Sequence, residues 1–93
     1  MKLPNSFELM GYTVSVERPD LEEGDLCGKW KPDTNRILVS PNKNKDIEGV
    51  TFWHEWMHCA LSTLGYEKLN GDEEFVDRMA QCLYQTQKTW RTK

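Results

Sequence analysis

The stretch Thr51-Phe52-Trp53-His54-Glu55-Trp56-Met57-His58-Cys59-Ala60 decides how this chain is read. It contains His-Glu-x-x-His, and on a helix residues four apart lie about 40° apart around the axis. His54 and His58 therefore project from one face, one turn apart. That spacing lets two imidazoles reach one tetrahedral zinc ion at about 2.0–2.1 Å each. Glu55 stands beside the first of them, where a carboxylate serves as general base to a water activated by the metal.

The surroundings sharpen the motif. The chain has 2 histidines, and both lie within it. Thr51 precedes the first histidine by three residues, and Phe52, Trp56, Met57, Cys59 and Ala60 are all uncharged. Uncharged neighbours suit a helix buried on several sides, where a stray charge costs several kcal/mol. The competing reading is a core helix whose histidines are merely hydrogen-bonded.

A length of 93 residues predicts one domain spanning residues 1–93, with a core small enough that a bound metal would add usefully to stability. The formal charge of −3 gives no electrostatic reason to expect nucleic acid or an acidic membrane as partner. The basic residues Lys88, Arg91 and Lys93 are spaced as in a solvated end. Charged residues at 29% predict a soluble protein. No apolar run reaches the roughly 18 residues of a membrane span, and no charged-then-apolar leader opens the chain, so neither a span nor a signal peptide is expected. Cys27, Cys59 and Cys82 form no Cys-x-x-Cys pair, which predicts reduced thiols in the cytoplasm. Cys59 points about 100° away from His58 on a helix and is expected in the core.

Taken in order, residues 1–6 carry no pattern. Met10, Tyr12, Val14 and Val16 alternate, which predicts a half-buried strand over residues 10–16. Arg18-Pro19-Asp20 ends it, and residues 21–25 read as an acidic connector. Residues 27–31 and 36–40 predict a hairpin turning at Pro32-Asp33-Thr34-Asn35, with Ile37 and Val39 on one face and Leu38 on the other. A helix over residues 46–64 follows, stopping at Gly65. Its expected inward stripe is Ile47, Val50, His54, Met57, His58, Leu61 and Leu64, with Phe52, Trp56 and Ala60 behind it, so it should pack between the sheet and another helix. Residues 66–72 read as a polar loop. The last helix, residues 73–90, should bury Phe75, Val76, Met79, Ala80, Cys82, Leu83 and Trp90. The fold class is α+β: a small three-stranded antiparallel sheet on two helices.

Two histidines leave a catalytic zinc short of a third ligand. The candidates are Asp72, Glu73, Glu74 and Asp77 at the start of the last helix. Glu73 flanks the apolar face there, in line with Val76, Asp77, Ala80 and Tyr84, whereas Glu74 points to solvent with Arg78, Gln81 and Gln85. Glu73 is the choice on geometry. Its alternative role is a capping box with Asn70.

His-Glu-x-x-His followed by a helix bearing Glu73 and Asp77, with small Ala80 beyond, resembles the gluzincin arrangement of zinc metallopeptidases. The resemblance implies Glu73 as third ligand of one Zn2+ per chain, and Asp77 as the acceptor that orients a ligand histidine. Over residues 10–90 the chain also resembles very short metallopeptidases encoded in phages and prophages, which join a small sheet to a His-Glu-x-x-His helix and a Glu-bearing helix ending in a pattern like Leu83-Tyr84-Gln85. This implies a cytoplasmic peptidase in a bacterial or phage-infected cell, acting on a peptide or protein. The second lobe of full-size gluzincins, with its substrate subsites and oxyanion donor, has no counterpart here.

By the same resemblance a substrate lies extended along an edge strand, expected around Ile37, Leu38, Val39 and Ser40. No oxyanion donor is singled out; Tyr84, Tyr66 and Tyr12 are the candidates, and the competing role of each is a half-buried aromatic. Two other functions compete: a zinc-stabilised binding module with little or no activity, and a protease whose cleft a partner completes. The presence of Glu55 favours the enzyme, because a purely structural site needs ligands and no base.

Overall fold

The computed structural model describes residues 2–20 and 27–91, so the expected acidic connector over residues 21–25 lies outside the described residues. Among the described residues the strands are β1 (Ser6–Leu9), β2 (Tyr12–Glu17), β3 (Gly28–Lys31) and β4 (Arg36–Val39). The helices are α1 (Lys45–Leu64), α2 (Glu67–Asn70) and α3 (Glu73–Thr89).

The α+β class stands, but the sheet has four strands and is mixed, in the order β1-β2-β4-β3. The expectation of three antiparallel strands is corrected twice. First, β1 begins inside the stretch that carries no pattern and pairs antiparallel with β2, Leu9 opposite Tyr12. Met10 and Gly11, both at positive φ, make the two-residue turn between them. Such a turn matches the twist of its flanking strands, and Met10 belongs to it rather than to a strand. Second, β2 pairs with β4 in parallel, Val16 beside Ile37. The β3–β4 hairpin forms as expected, and Asn35 takes the left-handed conformation its side chain tolerates.

Val14, Val16, Ile37 and Val39 meet Phe52 and Cys59 of α1 in one core cluster. Met57 and Leu61 of α1 meet Val76 of α3 in a second. Helix α1 is thus wedged between sheet and α3. Each fully buried side chain of this size contributes about 1.5–3 kcal/mol. Cys59 is 0% exposed, and burial pushes its thiol up to about 11, so it behaves as the expected core residue.

The buried faces are narrower than the periodicity suggests. Ile47 and Leu64 are 42% and 49% exposed, whereas Glu48 is buried. Desolvation raises the Glu48 carboxyl, yet the Asn42 N–H, Arg18 and Lys45 outweigh it and hold the group below the usual carboxylate range. Arg18 reaches it at 2.6 Å while donating to the Val39 carbonyl, tying sheet to helix. On α3 the buried line is Val76, Ala80 and Tyr84, while Cys82 and Trp90 face out and Met79 is 37% exposed. Tyr84 lies against Gly49, where an added Cβ would come within 2.0 Å of its ring. Its hydroxyl donates to Asp46 Oδ1 at 2.7 Å.

Gly49→Ala should therefore destabilise the fold by about 1–3 kcal/mol, the usual cost of forcing extra carbon into a packed contact. Urea unfolding checks this, and an unchanged midpoint would show that the α1–α3 contact is looser than described.

Candidate metal centre

Helix α1 is capped at Asn44, whose side chain accepts the Asp46 N–H, and it ends at left-handed Gly65, the stop the sequence predicts. Within it His54 and His58 lie one turn apart and meet edge to face, ring centroids 5.0 Å from each other. Helix α3 starts at Asp72, whose carboxylate accepts the Phe75 N–H. Asp72, not Asn70, is therefore the cap, and Glu73 is released from the capping-box role.

Glu73 turns to the histidines instead. Its Oε2 lies 3.3 Å from His54 Nε2 and its Oε1 lies 3.1 Å from His58 Nε2. One donor atom from each of His54, His58 and Glu73 falls within 4.8 Å of the other two. Glu74 is exposed and pairs with Arg78 at 3.4 Å, as its solvent-facing position predicts.

The far side of each ring is also engaged. His58 Nδ1 is 2.7 Å from Asn70 Oδ1. An amide oxygen only accepts, so Nδ1 donates to it and Nε2 is the ring nitrogen that faces Glu73. Asp77 Oδ1 lies 3.6 Å from His54 Nδ1, favouring the same tautomer there. Gln81 Nε2 donates to the other Asp77 oxygen at 2.9 Å. Two imidazole lone pairs and a carboxylate facing one point repel one another unless a cation or a proton lies between them. Two nitrogens and one oxygen are a donor set that zinc accepts, and the 68% exposure of the Glu73 side chain leaves room for a further ligand.

Glu55 sits on the sheet side of this cluster and is 8% exposed. Burial pushes its carboxyl above the ordinary glutamate range and the Glu73 charge adds to this, against the opposing pull of His54, His58 and the Trp30 N–H. It lines a cleft of about 220 Å³ with Cys27, Gly28, Val50, Thr51, His54 and Asp77. Gly28 is what brings β3 this close: a Cβ there would lie 2.6 Å from Thr51 Cγ2 and 3.2 Å from Glu55 Cγ.

The expected substrate strand is corrected. Ile37, Leu38 and Val39 are buried, and β4 lies between β2 and β3 with its backbone paired on both sides. The edge near Glu55 is β3. Because Cys27 accepts the Ser40 N–H, alternation turns the backbone groups of Gly28 and Trp30 to the edge that no strand among the described residues covers. Tyr84 is also corrected, since its hydroxyl serves Asp46 and it does not line the cleft. Tyr12 and Tyr66 are 56% and 55% exposed and do not line it either. The sequence reading missed Asn70, Gln81 and the β3 edge. Asn70 was visible only as the start of Asn-x-x-Glu, a pattern that also fits a cap.

Asn70→Leu should lower zinc affinity about 10–100-fold, the usual effect of losing a ligand-orienting partner, while Glu74→Ala should leave it unchanged. Competition with a chromophoric chelator measures both. Equal affinities for Asn70→Leu and wild type would show that the His58 contact does not prepare the ring for metal.

Compared with protein-family models, with curated proteins and with solved structures, the chain finds no match.

Proposed function

We propose that this chain is a zinc-dependent peptidase of gluzincin type, with His54, His58 and Glu73 holding one ion. One observation carries the reading: a buried carboxylate, Glu55, with raised proton affinity lies beside three converging donors and under a free strand edge. When bound, zinc supplies an acidified water and a polarised carbonyl. The Glu55 carboxylate takes the proton from the attacking water and returns it to the leaving amine nitrogen. The Trp30 N–H holds that carboxylate in place. Among the described residues no strand pairs with Gly28 N–H and C=O or Trp30 C=O, and these groups would pair with an extended peptide. Asn70 and Asp77 keep the ligand nitrogens aimed.

A second reading has its own support, because among the described residues the cleft lining holds no tyrosine, arginine or further histidine to stabilise an oxyanion. On that reading the domain is a zinc-stabilised binding module, or its cleft is completed by a partner.

Glu55→Gln separates the two. On the peptidase reading the variant keeps zinc and loses hydrolysis of a peptide library by about 100-fold or more. Unchanged hydrolysis removes Glu55 as the base. A wild type that cleaves nothing, and whose metal-free form unfolds, supports the module.

The raised carboxyl also has a stability consequence. A folded-state value above the unfolded one means that the protonated form adds stability below the unfolded value, and that this is lost as pH rises through the folded value. At neutral pH the buried charge is a net cost, so Glu55→Gln should raise the thermal midpoint of metal-free protein. A lowered midpoint would contradict this.

A further inference from the structure

The free edge of β3 carries a charge pattern that the hydrolytic reading does not use. A Cβ on Gly28 would collide with Thr51, and Trp30 packs against the core between sheet and α1, so both face the helix. Side chains alternate along a strand, which sends Lys29 and Lys31 to the opposite, outward face. Among the described residues neither lysine has a carboxylate at ion-pair distance. Arg36, in register with Lys31, shares that face and carries Glu17 at 3.0 Å. The acids of the metal cluster, Glu73 and Asp77, lie on α3, across α1 from this face.

We propose that the β3 edge selects extended peptides with acidic side chains at alternate positions. The carboxylates face Lys29 and Lys31, and the intervening side chains enter the cleft beside Glu55. As a substrate class this rests on the peptidase reading; as a binding specificity it stands without it. A strand added at Gly28 and Trp30 brings its outward side chains into cross-strand contact with the two lysines, where opposite charges attract and like charges repel. The intervening side chains meet Cys27, Val50 and Thr51, the uncharged part of a lining that also holds His54, Glu55 and Asp77, so the selection for acidic side chains lies on the lysine face alone. Lysines on an edge also deter sheet-to-sheet association, so the test must separate recognition from simple protection.

Binding is read by fluorescence anisotropy on zinc-loaded Glu55→Gln protein at low ionic strength, so that nothing is cleaved. The probes are short labelled peptides: alternating Glu-Val, alternating Lys-Val, and a composition-matched peptide with glutamates in adjacent pairs. The alternating Glu-Val peptide should bind about tenfold tighter than the Lys-Val one and several-fold tighter than the paired one. Adding Lys29→Glu and Lys31→Glu should reverse the first order, and Lys29→Gln with Lys31→Gln should level it. Equal affinities, no binding by any probe, or an order that the lysine variants leave unchanged overturns the proposal. Equal binding of the alternating and paired peptides also overturns it, because attraction would then depend on net charge alone. Cleavage of the preferred peptide by wild type is scored separately: binding in the stated order without cleavage sinks the peptidase reading and leaves the edge specificity standing.

Discussion

Everything in this molecule depends on how closely α1 is gripped from both sides. On the sheet side the grip closes at Gly28, whose missing side chain lets β3 reach Thr51 and Glu55. On the other side it closes at Gly49, against the ring of Tyr84. A helix held at two such points cannot roll or slide, because any rotation brings backbone or ring into overlap. The motif residues inherit that rigidity, so His54, His58 and Glu55 keep their bearings without a large core behind them.

The second consequence is electrostatic. Holding α1 against β3 removes Glu55 from water, which raises its proton affinity. Holding α1 against α3 brings Glu73 onto two imidazoles whose other nitrogens already face Asn70 and Asp77. In a metal-free chain the first arrangement buries a carboxylate at a cost, and the second is relieved only by a proton between Glu73 and the imidazoles. Features that cost stability and yet converge on one cleft are expected at sites of chemistry.

The sequence made the two long helices and the donor set legible for a simple reason, whereas the single turn of α2 (Glu67–Asn70) forms inside the stretch expected as a polar loop. Four-residue spacing, an αL glycine at position 65 and an acidic start at α3 act locally, so they survive whatever the rest of the chain does. Sheet order does not act locally. Nothing near Ile37 tells whether β4 will be an edge or an interior strand, because that depends on β2 pairing in parallel with it across a long connection. β1 stayed hidden because its turn uses Met10 where an asparagine or glycine would have announced positive φ. The inward stripe of α1 misled at Ile47, because Glu48 is buried by partners that come from Arg18 and Asn42, far away in sequence or outside the helix. Asn70 was ambiguous for the opposite reason: its local pattern was strong, and Asp72 took the cap.

The most direct measurement is the metal content of protein purified without added metal, by elemental mass spectrometry, for wild type and Glu73→Ala side by side. The account predicts about one zinc per wild-type chain and a sharp fall in the variant. No zinc in a folded wild type would contradict it, leaving the two histidines paired with Glu73 through a shared proton.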